Sequence, residues 1–222
     1  MKVLLGISGA SGGAYGVRTA ELLLSHGAEL HVVVTETAWQ ILGQELPAEG
    51  AVPGPVPAAQ PARKWWLAGL LRAAPDDFFL HAEDDFGIPF ASGSNPPDAM
   101  IIAPCSMGML GRIAHGTASS VLCRCADVAI KERVPLVLVP RETPFSAIHL
   151  ENMLTLSRAG ALILPACPGF YHRPATVGQM VDFVVARILS RIGIDAGLVP
   201  RWGEAREPDA GEKTGSRSGT GI

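Results

Sequence analysis

Charge is scarce in this 222-residue sequence: Asp, Glu, Lys and Arg make up 18% of it, against roughly a quarter in an average soluble domain. Less charge leaves less material to cover the surface of a monomer, so self-association through apolar faces is expected. The formal net charge is only −3, which gives no general attraction to nucleic acid or anionic membranes. Any bound phosphate must be held by local features. The four cysteines, Cys105, Cys123, Cys125 and Cys167, contain no CxxC pair, so zinc-site and thioredoxin-like readings lack their ligand spacing. Nothing resembles a secreted disulfide framework, and a cytosolic protein is expected. No apolar run approaches the roughly 18 residues that span a bilayer. The start, Met1-Lys2-Val3-Leu4-Leu5, is soon broken by glycine and serine and followed by Arg18, unlike a signal peptide. There is no internal repeat and no GxGxxG, because Gly6, Gly9 and Gly12 stand three apart with serines between them.

What is present is an alternation of short apolar runs and helical patterns. Residues 2–7 read as a buried strand, 14–26 as a helix, 30–34 as a strand rich in β-branched residues, and 37–45 as a helix. Residues 47–62 carry Pro47, Pro53, Pro55, Pro57 and Pro61 and read as a loop or insertion. A short helical stretch follows Trp65-Trp66-Leu67 to about residue 72, and 76–97 is left without assignment. Strands are expected at 98–104, 135–139 and 161–164, and helices at 119–133, 146–158 and 177–192. The glycine-, serine- and charge-rich tail, 206–222, is expected to be disordered. The fold class that follows is α/β: one Rossmann-like domain over residues 1–205, a three-layer doubly wound parallel sheet.

In such sheets ligands bind beyond the carboxyl ends of the strands. Four polar clusters fall at that edge: residues 8–13, 35–37, 105–107 and 141–143. The glycine-serine loop suits close approach of a phosphate to backbone amides at a helix start, and a tight strand-to-helix turn without a ligand fits it equally. Arg124 and Lys131, seven apart, share one helix face with Asp127 between them. They form either a solvated ladder or a two-cation phosphate clamp. Glu142 emerges next to Arg141, where it acts as a general acid only if its pKa is raised, and otherwise pairs with Arg141 or a helix start. Met107, Met109, Met153 and Met180 read as core filler, and His26 and His31 as structural.

Taken in order, Gly6-Ile7-Ser8-Gly9-Ala10-Ser11-Gly12, Ala91-Ser92-Gly93-Ser94, Ala103-Pro104-Cys105-Ser106-Met107, Ala126-Asp127-Val128, Lys131-Glu132-Arg133, Val139-Pro140-Arg141-Glu142-Thr143-Pro144 and Phe170-Tyr171-His172-Arg173-Pro174 resemble the UbiX-type flavin prenyltransferases. The likeness runs from residue 2 to about Trp202 and is weakest over 46–90. The resemblance implies a Rossmann-like dodecamer that joins a dimethylallyl group to N5 and then C6 of reduced FMN without a metal. The donor is dimethylallyl monophosphate or diphosphate, and the product serves a UbiD-type decarboxylase. It also implies FMN contacts from Gly9, Ala10, Ser11, Thr35, Cys105, Ser106, Met107 and Arg124. Donor contacts are implied for Arg124, Lys131, Arg141, Glu142, Tyr171, Arg187 and Trp202, and catalytic roles for Glu142, Lys131, Ser11 and Glu45. Departures from the family pattern are Thr35 for serine, Gly108 for lysine, and His115 and Ser119 for asparagine and aspartate. The rivals are a flavin-dependent cysteine decarboxylase, whose histidine base has no well-placed counterpart here, and a non-catalytic flavin carrier.

Overall fold

The computed structural model describes residues 1–46 and 55–199. Six strands, β1 (Lys2–Ile7), β2 (Glu29–Val34), β3 (Phe78–His81), β4 (Ala99–Cys105), β5 (Leu136–Pro140) and β6 (Leu162–Ile163), form one sheet in the order β3-β2-β1-β4-β5-β6. Every pairing is parallel. The chain winds outward from β1 in one direction, then starts again at β4 and winds outward in the other. The strand order therefore reverses between β1 and β4, the place where such sheets open a crevice for a ligand.

The sheet is covered on both faces, which is why its central strands read as unbroken apolar runs. Val3, Leu5 and Ile7 of β1, with Ala99, Ile101 and Ala103 of β4, join one core cluster. That cluster is completed by α1 (Gly13–Ser25), α2 (Glu36–Glu45), α3 (Gln60–Leu71) and α7 (Val177–Ser190). Leu4, Met100 and Ile102 face the other way, toward α4 (Met107–Ala114), α5 (Val121–Lys131) and α6 (Ala147–Arg158). Each fully buried leucine or isoleucine contributes roughly 1.5–3 kcal/mol. α7 closes the domain by returning to α1, where the Arg18 guanidinium donates to Asp182 at 2.7 Å. At Gly16 of α1 a Cβ would run into the carbonyl oxygen of Ala103, so only glycine lets the helix lie this close to β4.

Three readings change. The proline-rich stretch does not remain loop to residue 62, because α3 starts at Gln60 with Pro61 in its first turn, where the missing N–H costs no helical bond. The unassigned region holds β3, which pairs with β2. With four residues and Phe79 half exposed, it is too short for a periodicity to show. α4 falls where no helix was expected, because two of its eight residues are glycines, which weaken the local signal. Burial of Met107, Met109, Leu110 and Ile113 outweighs that propensity. Residues 47–54, Trp202 and the tail from 206 lie outside the described residues.

Candidate functional site

The crevice at the strand-order reversal is built from the loops after β1 and β4. The Ser8 hydroxyl donates to the Pro104 carbonyl at 3.0 Å and accepts the Ser106 amide at 2.8 Å, locking the two loops together. Ser106 in turn caps α4 by accepting the Met109 amide at 3.2 Å. At Gly9 a Cβ would press on the Thr37 side chain at 2.7 Å, which brings the start of α2 against the glycine loop. Thr35 is buried and its hydroxyl accepts the Ala38 amide, so it holds that start in place. Beside Gly108, at the beginning of α4, the space is open. A glycine-lined edge with open space at the first turn of a helix is a fitting cradle for a phosphorylated flavin.

The start of α1 is a different matter. Its Gly12 and Gly13 amides, offered in sequence as a phosphate cradle, both donate to the Glu45 carboxylate at 2.9 Å. Gly12 sits at φ 105°, a left-handed conformation that glycine adopts freely. Burial pushes the Glu45 carboxyl up, but the Ser11 hydroxyl, the two amides and the Arg141 charge together leave it below its ordinary value. Arg141 reaches this cluster from the end of β5, donating through Nε to the Ser11 carbonyl at 2.9 Å. Ser11, Glu45 and Arg141 therefore form one unit, drawn from three segments far apart in sequence.

Tyr15 extends the unit. Its ring would touch a Cβ at Gly12, and burial and Cys167 raise its phenol against the opposing Arg141 charge. Cys167 in turn lines a cavity of about 540 Å3 with Leu164, Pro165, Tyr171, Phe183, Val184 and Arg187. An apolar floor with a tyrosine and an arginine beside it suits a small branched hydrocarbon carrying a phosphate. Tyr15 and Cys167 escaped the sequence reading. The sequence signal was the place of Tyr15 in the first turn of the helix after the glycine loop.

Glu142 neither pairs with Arg141 nor caps a helix: its carboxylate accepts the Thr143 amide at 3.0 Å. Arg124 stands in the first turn of α5, donating to Asp127 at 2.8 Å and to the Ala91 carbonyl at 2.9 Å. Lys131, at the last turn, bonds Glu132 at 2.5 Å beneath Gly93. The seven residue steps from Arg124 to Lys131 separate them by about 10 Å of helix rise. Lys131 also precedes β5 whereas Arg141 and Glu142 follow it, which puts about 16 Å of strand between them. One chain thus gathers Ser11, Glu45 and Arg141, and Tyr171 with Arg187, but holds Lys131 at the opposite edge of the sheet. Cys105 is fully buried and its thiol is pushed far up by that burial, so only its backbone is available to a ligand. Met107 and Met109 are buried in the core. Cys125 is likewise raised to about 12.

Comparison with known proteins places this arrangement. The Flavoprotein family model matches residues 1–189. The flavin prenyltransferase UbiX of Pseudomonas aeruginosa is 46% identical over 203 residues, 91% of this chain and 94% of that protein. UbiX of Methanocaldococcus jannaschii is 39% identical over 203 residues, 91% of this chain and 99% of its own. Among solved structures, AnUbiX (PadA1) in complex with FMN and dimethylallyl pyrophosphate superposes with a TM-score of 0.78 at 33% identity, over 92% of this chain and 98% of that one. A dodecameric FMN-dependent UbiX-like decarboxylase from Escherichia coli O157:H7 gives 0.78 at 38% identity, over 92% and 100%. The cysteine decarboxylase SpaF, at 19% identity and a TM-score of 0.51, shares the fold alone. This chain belongs to the Flavoprotein family and, within it, to the UbiX flavin prenyltransferases.

Proposed function

We propose that this protein transfers a dimethylallyl group from dimethylallyl monophosphate or diphosphate to reduced FMN, making prenylated FMN for a UbiD-type decarboxylase in the cytoplasm. The observation that carries this reading is the second cavity. A flavin carrier needs only the crevice between the loops after β1 and β4. This chain also builds an apolar cavity with Tyr171 and Arg187 on its wall, joined to the crevice through Tyr15, Cys167 and Arg141.

When bound, reduced FMN supplies the nucleophilic N5 and C6. The chain's own residues do the rest. The loops at Gly9, Ala10 and Ser11, at Thr35, and at Cys105, Ser106 and Met107, with Arg124 at the start of α5, hold the flavin. Arg141 and Arg187 face the donor phosphate as fixed cations, which stabilise negative charge on the departing group without reorganising. Tyr171 offers a π-face to positive charge on the allyl carbon. Glu142, at the end of β5, assists departure of the phosphate. Glu45 holds Ser11 in place and keeps a carboxylate near the reacting atoms to accept a proton. Trp202 belongs to the same set by likeness to the family.

Lys131 joins this set from a second copy. It lies at the far edge of its own sheet, with Arg124 on the same helix, and the chain exposes Phe145, Ile148, Leu150 and Leu154 around α6. An apolar face of that kind is buried in an oligomer, and a dodecamer fits both.

An anaerobic incubation of protein, reduced FMN and dimethylallyl monophosphate, with the extracted flavin weighed by mass spectrometry, tests the reading. A gain of one C5H8 unit is expected. Unmodified flavin with both the monophosphate and the diphosphate, FMN being bound, overturns it.

A further inference from the structure

His172 is buried, and neither of its ring nitrogens has a hydrogen-bond partner among the described residues. The ring lies parallel to Phe183, 5.4 Å between centroids and 6° between planes. It meets Tyr171 edge-on at 5.6 Å, and Tyr171 meets Phe183 in the same way at 5.7 Å. Tyr171 and Phe183 both line the cavity that holds Arg187, and Arg187 follows Phe183 by one turn of α7. The turn is wrapped tightly on this box, because a Cβ at Gly169 would meet the Phe183 ring at 2.8 Å. The imidazole is therefore packed directly behind two rings that wall the cavity.

A phenylalanine would fill this space and stack on Phe183 equally well, without taking two polar nitrogens out of water. A neutral imidazole carries one N–H donor and one lone pair, and here both are desolvated and unpaired. Any bound state that pairs one of them recovers free energy that the empty state lacks, so the imidazole favours that bound state over the empty one. We propose that His172 is a positioning residue of the donor cavity: it gains its hydrogen bond when a phosphorylated donor is bound, and through it fixes Tyr171 against the phosphate. This rests on the prenyl-transfer reading above. A phosphate at Arg187 brings acceptor oxygens to the wall in front of the imidazole. One water joining the His172 N–H, the Tyr171 hydroxyl and a phosphate oxygen would have three polar partners, the number that holds a buried water in place.

The test separates binding from turnover by using oxidised FMN, which accepts no prenyl group, and dimethylallyl monophosphate as the probe. H172F is expected to melt no lower than the wild type and to bind FMN equally. Its donor Kd should rise about tenfold, ~1.4 kcal/mol, and with reduced FMN its KM should rise while kcat changes little. H172Q, which restores an N–H at a similar reach, is expected to recover part of the loss. In the wild type the 15N shifts of the His172 ring should move on adding the donor but not on adding FMN alone. A folded H172F that binds donor like the wild type, or ring shifts indifferent to donor, overturns the role of His172 and leaves prenyl transfer standing. Absence of binding of both the monophosphate and the diphosphate to the wild type overturns both.

Discussion

Glu45 is where a single side chain changes what the glycine loop can do. Its carboxylate occupies the two amides at the start of α1 and accepts the Ser11 hydroxyl, so an anion from within the chain stands where a phosphate was one expectation. Folding lowers its pKa below the unfolded value of about 4.3. The stability it contributes is therefore present above that value and lost as pH falls through the lower, folded one. Acid unfolding of Glu45→Gln should start from a lower stability at neutral pH and decline less steeply below about pH 4 than the wild type. Identical acid limbs would remove Glu45 from the balance. Glu142 makes a contrasting case, since among the described residues its carboxylate is tied to the next amide and to no cation, and a turn of the side chain brings it to a ligand. Glu142→Gln should bind FMN normally and lose turnover by about a hundredfold or more, the usual scale for an acid-base group. Undiminished turnover would exclude it from the chemistry.

At the scale of elements, α5 does two jobs with opposite faces. Leu122 packs into the core beneath the β1 and β4 loops, within 2.8 Å of where a Cβ at Gly6 would stand. Arg124 and Lys131 look outward on the other side. Leu122→Ala should cost about 2–5 kcal/mol through the cavity it leaves and lower the melting temperature by about 5 °C or more, as calorimetry would show. A shift below about 2 °C would mean that the sheet collapses onto the gap. α4 and β3 carry a different lesson. Neither has a strong local signal, yet Ser106 caps α4 where the helix begins at the crevice, and β3 pairs along β2 because that edge offers unpaired backbone. Tertiary burial decided both.

At the scale of the molecule, the two halves of the expected donor clamp lie on opposite edges of one sheet. Lys131→Ala should weaken donor binding more than FMN binding, and if the site spans two copies the defect can be complemented. Mixed assemblies of Lys131→Ala and Glu142→Gln chains, each nearly inactive alone, should regain about a quarter of wild-type turnover when a site pairs faces from two protomers at random. No recovery on mixing, with exchange of chains demonstrated, would mean that Lys131 serves its own chain.

The alternation of apolar runs with helical patterns determined the three-layer α/β fold, because a strand buried on both faces and a helix buried on one leave unmistakable periods in the sequence. The order of polar clusters after the strands determined which edge carries the chemistry, since parallel strands all present their carboxyl ends to the same side. Ser11 and Arg141 were singled out in that way, whereas Tyr171 and Arg187 entered only through the family resemblance. Only the tertiary structure decided that Glu45 takes the amides of α1, that Tyr15 and Cys167 stand between the glycine loop and the Arg187 cavity, that the buried His172 ring nitrogens have no hydrogen-bond partner among the described residues, and that Lys131 stands a strand's length from Glu142. Each of these depends on distances between segments remote in the chain, which packing sets and local pattern does not encode.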